Sequence, residues 1–270
     1  MAPGSRRRQR AGAPVFLWVI VVAVMVLLYA PILVVAVYSF NGADSLVQLN
    51  GWSLQWYGQV FQDEQIRSSF AQSLQIAAIS SVVSTVLGTA MAIGLRHATP
   101  WLRRLGGGSV LIRLISPETA TAVALFLLLG LVQIPLSFVT VLIGHVALSL
   151  AFVVVIVRSR LVAIGPDIED AAMDLGATPA KAVWLAVVPL LAPSILVSAL
   201  LSFILSFGNF VTSFFLTGIG TTPLPLWIYS SLRFGVSPVV NALGMIMLAL
   251  MIVVALVAAL LLRWNSRRRS

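Results

Sequence analysis

Four of the eight acidic residues of this chain, Asp167, Glu169, Asp170 and Asp174, fall within one short segment. The sequence holds no cysteine, so disulfides, thiol nucleophiles and cysteine metal sites are excluded. Gly165-Pro166 breaks the chain before the acidic segment and Gly176 ends it, which predicts a short helix over 168–175. Asp167 is the expected cap, with Asp170 as the acidic half of a capping box. Thr178 with Pro179 in the first turn opens a second helix. Helix, glycine turn and helix over about 165–188 form a rigid elbow offered to a partner; the plain alternative is an amphipathic surface linker.

Two further places hold residues suited to binding. Glu118 follows Ser116-Pro117 at the edge of an apolar run. A carboxylate inside a membrane is costly and marks a functional group by default, although here it could also cap a helix or be solvated. The stretch 206–215 carries Phe207, Asn209, Phe210, Thr212 and Phe214 around Gly208. Aromatic faces attract organic cations and amide oxygens accept their hydrogens; aromatic packing about a glycine kink is the alternative.

Catalysis is not written into the sequence. His97 lies in a basic segment and is expected at an interface, and His145 sits among apolar residues, where a hydrogen bond to a neighbouring helix is expected. No His-Glu-x-x-His occurs, and no serine, histidine and carboxylate are arranged for nucleophilic attack. A phosphate-gripping loop needs Gly-x-x-x-x-Gly-Lys-Ser/Thr, and the single lysine, Lys181, lies in Pro179-Ala180-Lys181-Ala182. The chain cannot hold ATP by that motif.

The elements that must position these groups are membrane spans. Of 270 residues 60% are hydrophobic and 9% charged, with a mean hydropathy of +1.04. A soluble domain carries about 25% charged residues, so a water-soluble monomer is excluded. Apolar runs near 15–40, 70–95, 110–129, 138–157, 190–216 and 239–262 are each long enough to cross a hydrocarbon core of about 30 Å. The alternation expected of a membrane β-barrel is absent. The first run is too long for a signal-peptide core and reads as a retained helix. The fifth is either one tilted helix or a helix with re-entrant backbone. The second carries a polar stripe, with Ser84, Gly88 and Ala92 at a spacing of four, which suits close helix packing or a pore lining.

Charge orients the bundle. Fifteen of the 17 basic residues fall on one side: Arg6, Arg7, Arg8 and Arg10, then Arg96, Arg103, Arg104 and Arg113, then Arg158, Arg160 and Lys181, then Arg263, Arg267, Arg268 and Arg269. Arg67 and Arg233 remain for the other side. The positive-inside rule then predicts six spans with both termini cytoplasmic. Basic tails at 1–14 and 263–270 would flank a transmembrane domain over 15–262, serving as topology signals and anionic-lipid anchors rather than nucleic-acid ligands.

Several of these residues carry a resemblance. Asp170-Ala171-Ala172, Gly176 and Pro189 resemble the Glu-Ala-Ala-x-x-x-Gly … Pro motif of permease subunits in binding-protein-dependent ABC importers. Asp170 stands for the glutamate, Ala186 for the isoleucine and Val188 for the leucine of that pattern, while Glu169 offers a longer carboxylate one residue earlier. Ser39-Phe40-Asn41, Trp56-Tyr57, Ser116-Pro117-Glu118, Leu201-Ser202-Phe203, Leu224-Pro225-Leu226-Trp227 and Asn241-Ala242-Leu243 extend the likeness along the chain. Together they are most similar to the second permease subunit of spermidine/putrescine importers. At Gly208-Asn209, where polyamine permeases commonly carry an acidic pair, this chain has no charge.

The resemblance implies an all-α, six-helix ABC importer permease in the bacterial cytoplasmic membrane, working with a second permease, two ATP-binding subunits and an extracytoplasmic binding protein. ATP and magnesium would belong to the ATPase; the chain itself would hold no cofactor and no metal. Glu169, Asp170, Ala171, Ala172, Asp174, Gly176 and Pro189 would form the coupling elbow. Glu118, Phe207, Asn209, Phe210, Thr212 and Phe214 are the candidates for the substrate path, and Trp52, Trp56 and Tyr57 for contact with the binding protein. The expected cargo is a polyamine or related small organic cation. The rivals are a metal-ion complex or aminophosphonate carried by the same kind of permease, and a self-sufficient secondary transporter, which would show related halves and paired intramembrane acids.

Overall fold

A computed structural model describes residues 15–45, 48–235 and 237–267. The predicted N-terminal segment 1–14, Val236 and the terminal Arg268, Arg269 and Ser270 lie outside the described residues. The described chain is almost wholly helical, and its contacts divide it into two units, 1–59 with 237–245 and 60–236 with 246–270.

In the first unit α1 (Val15–Ser39) is apolar on every face and exposed along most of its length, as a span surrounded by lipid or a partner must be. The loop that follows is built on Asn41. Its amide Nδ2 donates to the carbonyls of Ser45 at 2.6 Å and Gln48 at 2.7 Å, and its Oδ1 accepts from the N–H groups of Ala43 and Asn50. One short side chain thus satisfies four backbone groups of a loop that has no secondary structure to do so. Gly42 passes so close to Asn50 that a Cβ there would strike its carbonyl oxygen. Next comes α2 (Gln55–Gln62). Its Trp56 is buried and donates from Nε1 to the carbonyl of Asn41 at 2.5 Å, while Tyr57 Oη lies 2.8 Å from Ser39 Oγ.

The second unit is built on α3 (Glu64–His97), α6 (Phe138–Ile164) and α9 (Val188–Phe207). The stripe on α3 is a packing seam: Ser84 and Ala92 are buried, and a Cβ on Gly88 would lie 2.7 Å from Val153 and 3.3 Å from the carbonyl of Leu150. Small residues there let α3 and α6 approach backbone to backbone. The apolar core about this seam includes Leu95, Val154, Val157, Leu161 and Leu191.

Two of the six apolar runs are broken. The third is α4 (Pro100–Ile115) and α5 (Glu118–Leu131), bent by 112° at Ser116-Pro117. Pro117 offers no N–H and forces Ser116 to ψ 132°, so the helix must stop before it. The fifth is α9, a non-helical stretch at 208–210, and α10 (Val211–Leu216), so the run is not one continuous helix. Then α11 (Leu224–Phe234) leads to α12 (Pro238–Arg267). Five described helices are long and apolar enough to cross a membrane, or six if the bent pair counts as one span.

The elbow departs from expectation in two details. Helix α7 (Asp167–Asp174) has Pro166 rather than Asp167 at its N-cap and no side-chain cap; the N–H groups of Glu169 and Asp170 bond the Pro166 carbonyl instead. A proline with helical φ accepts those donors without a capping box. Second, α8 (Pro179–Ala182) runs through a π-helical turn at Val183–Val187 directly into α9. Pro189 cannot donate to the carbonyl four residues back, and the N–H of Val188 bonds Val183 with a wider turn.

Candidate functional site

The acidic elbow is closed by a glycine. Gly176 has φ +87°, its N–H donates to the Met173 carbonyl at 2.8 Å, and that of Ala177 donates to Ala172 at 3.1 Å. This pair of bonds is the Schellman arrangement, which needs the left-handed conformation that glycine adopts without penalty. Thr178 restarts the chain as helix by accepting from the Lys181 N–H. At the tip Leu175 is 90% exposed, and Trp184 and Leu185 are 70% and 75% exposed. Asp170, Ala171 and Asp174 are also exposed, Ala172 is half-buried, and Pro189 is exposed at the start of α9.

The two adjacent carboxylates face different ways. Glu169 is 6% exposed and lies 3.2 Å from Arg96 and 3.0 Å from His97, both in the last turn of α3. Asp170 is exposed and makes no ion pair among the described residues.

The residues suspected of touching a substrate come together in part. Oε1 of Glu118, the first residue of α5, accepts from Asn209 Nδ2 at 2.5 Å and from Thr212 Oγ1 at 3.1 Å. Asn209 Oδ1 in turn accepts from the Thr212 N–H at 2.9 Å, so the asparagine side chain both restarts α10 and presents its amide to the carboxylate. Both side-chain donors use Oε1, which leaves Oε2 for another donor. Arg113 lies within electrostatic reach of Glu118 but not in an ion pair. Glu118 itself is half-buried at the start of α5.

Beside this cluster Phe210 and Phe214 form an aromatic face with Tyr229 of α11. The Phe210–Tyr229 centroids are 4.8 Å apart and the Phe214–Tyr229 centroids 5.8 Å. The Arg233 guanidinium stacks on the Tyr229 ring at 5.0 Å, so the face already holds one cation. Phe207 does not join them. It is 1% exposed, stacked on Phe203 and edge-on to Phe70, because it lies on the core side of α9. That removes it from the surface-lining candidates.

Behind the break a buried histidine ties four elements together. His145 Nδ1 lies 2.7 Å from Ser206 Oγ and Nε2 lies 3.1 Å from Ser213 Oγ, while Ser80 Oγ donates to Ser206. Ser213 spends its proton on the Asn209 carbonyl, so His145 is the donor at Nε2 and the acceptor at Nδ1, a neutral tautomer. Among the described residues no group of three potential ligands converges to hold a metal.

Of the aromatic residues proposed for binding-protein contact, Trp52 is 77% exposed, Tyr57 is half-buried and Trp56 is buried. Trp56 braces its loop and is not a surface group. The site roles of Tyr229, Arg96 and Arg113 emerge only from the fold: Tyr229 meets Phe210 and Phe214 across 19 and 15 positions, Arg96 meets Glu169 across 73, and Arg113 faces Glu118 across five.

Comparison with known proteins agrees with this architecture. Residues 84–270 match the model of the family described as "Binding-protein-dependent transport system inner membrane component". The chain is 34% identical to the putrescine transport system permease protein PotI of Escherichia coli, over 93% of either chain. It is 33% identical to the spermidine/putrescine transport system permease protein PotC of the same organism, over 89% of this chain and 91% of that one. A chain of a bacterial ABC transporter that imports alginate shares the fold at a TM-score of 0.71, with 14% identity over 92% of this chain and 95% of that one. The chain therefore belongs to the inner-membrane components of binding-protein-dependent transport systems, as a non-catalytic permease subunit of a bacterial ABC importer.

Proposed function

We propose that this permease forms half of an inward path for a polyamine or related small organic cation. The observation that carries this reading is Glu118, whose Oε1 is fixed by Asn209 and Thr212 while neither of these donors uses Oε2; Phe210, the residue after Asn209, belongs to the Phe210–Tyr229–Phe214 face. An ammonium group finds there a carboxylate and π-faces, the two partners that best replace its water. Glu118 also supplies from α5 the charge missing at Gly208-Asn209, because Asn209 is the residue it grips. The names of the relatives, putrescine and spermidine/putrescine permeases, point to the same cargo.

In this reading the chain has six spans with both termini cytoplasmic, so the bent α4–α5 pair counts as one span, and the elbow faces the cytoplasm. Exposed Asp170, Asp174 and the apolar tip at Leu175 would dock on an ATP-binding subunit, with Gly176 and Pro189 setting the elbow's shape. A second permease completes the path, and the loop at Trp52 and Tyr57 meets the binding protein.

The test is transport by the whole assembly. Proteoliposomes holding the permease pair and the ATPase, given ATP inside and loaded binding protein outside, are expected to accumulate radiolabelled putrescine. Accumulation of a different solute bound by that binding protein, with neither putrescine nor spermidine moved, would overturn the cation reading.

A further inference from the structure

The buried partner of the elbow is the inner end of α3. Arg96 holds Glu169 at 3.2 Å and also donates to the carbonyl of Gly165 at 2.6 Å. Gly165, at φ +76°, is the joint where α6 turns into the elbow. His97 adds a second contact to Glu169 at 3.0 Å. The last turn of α3 therefore grips both the joint and the first turn of α7. The other end of α3 is gripped as firmly. Gln72 Oε1 accepts from the Thr222 N–H at 2.8 Å and Ser73 Oγ from the Leu224 N–H at 2.7 Å. These bonds fix the segment that leads into α11, which carries Tyr229 onto the aromatic face. Between Gln72 and Arg96 the helix is uninterrupted for about 36 Å and contains no proline.

We infer that α3 is a transmission rod, with Glu169 and Arg96 as positioning residues that tie it to the elbow and Gln72 and Ser73 as its attachment to the outer segment before α11. This rests on the coupling reading of the elbow and adds the route within the chain. The neighbouring carboxylates then divide the work: Asp170 faces the ATPase, and Glu169 converts elbow displacement into movement of α3. A rod held at both ends moves the aromatic face when the elbow moves, without a contact between the two.

The sequence lacks cysteine, so a single introduced thiol reports on the outer end. Gln65, exposed in the outer cleft beside Thr222 and Trp227, is a suitable position. In the reconstituted assembly, labelling of a Gln65→Cys permease by a membrane-impermeant maleimide is expected to change at least about threefold between the nucleotide-free state and the state trapped with vanadate after ATP hydrolysis. Glu169→Gln and Arg96→Ala are expected to abolish that change and cut putrescine uptake about tenfold while the ATPase still co-purifies. The reversed pair Arg96→Glu with Glu169→Arg is expected to restore the nucleotide response at least in part, which a simple packing defect would not. A response that persists in Glu169→Gln overturns the proposal. So does loss of ATPase co-purification in both single variants, which would place Glu169 in the docking surface. Failure of the elbow reading looks different: Asp170→Arg would leave both uptake and ATPase binding intact.

Discussion

Glu118 and Asn209 stand 91 positions apart and share a hydrogen bond of 2.5 Å. The pairing joins the two broken runs of the chain, since Glu118 opens α5 after the Pro117 break and Asn209 occupies the break between α9 and α10. The two breaks in the helical backbone thus meet each other at one carboxylate.

Replacing Asn209 with alanine removes the donor to Glu118 and the acceptor for the Thr212 N–H together. Loss of such buried bonds costs about 1–3 kcal/mol per group left unsatisfied. Asn209→Ala is expected to lower the thermal midpoint of the purified permease pair and to raise the half-saturating concentration of loaded binding protein little. Uptake at saturation should fall. Differential scanning fluorimetry and initial uptake rates check the two parts.

Gly176 supplies a left-handed residue, and a β-branched side chain there costs about 1–2 kcal/mol of local strain. Gly176→Val is expected to disable uptake while the binding protein's affinity for its ligand is unchanged. Asparagine tolerates the same conformation, so Gly176→Asn should retain much more transport. Side-by-side uptake measurements on the two variants separate backbone conformation from side-chain bulk.

The sequence made the helical class and the turn between the elbow's two short helices legible, but not where the second of them ends, since α8 runs on into α9. Each rests on a local signal: apolar runs, Gly165-Pro166, Gly176 and Thr178-Pro179. The 112° bend was legible only as a lone Pro117, because hydropathy continues across it. Glu118, Asn209 and Thr212 could each be suspected alone, but nothing in the order of residues says that one amide spans 91 positions to reach one carboxylate. Phe207 and Phe210 illustrate the limit most plainly. Three positions apart in one aromatic stretch, they take opposite fates because the helix breaks between them.

Gly218 packs against the loop before α6, where a Cβ would collide with the Leu136 carbonyl oxygen. Backbone cannot yield as a flexible side chain can, so Gly218→Ala is expected to cost about 1–3 kcal/mol. The expected sign is a lower thermal midpoint and lower yield of monodisperse protein after detergent extraction. An unchanged midpoint would show that the segment between α10 and α11 rearranges freely.

Asn41→Ala strips four backbone partners from the loop between α1 and α2 and leaves Trp56 bracing a loosened chain. Faster proteolysis within 42–53 is expected, read by mass spectrometry of limited digests in proteoliposomes. Retained protection would mean that Trp56 and the Ser39–Tyr57 contact suffice to hold the loop.

The most direct test of the account is the charge on Glu118. Glu118→Gln keeps an oxygen at Oε1 to accept from Asn209 and Thr212 but removes the anion. Initial rates of putrescine uptake should be measured in the reconstituted assembly with saturating, loaded binding protein. The account predicts a fall of at least about tenfold, equivalent to about 1.4 kcal/mol of lost stabilisation along the path, with the thermal midpoint of the permease pair little changed. Uptake at the wild-type rate would contradict it.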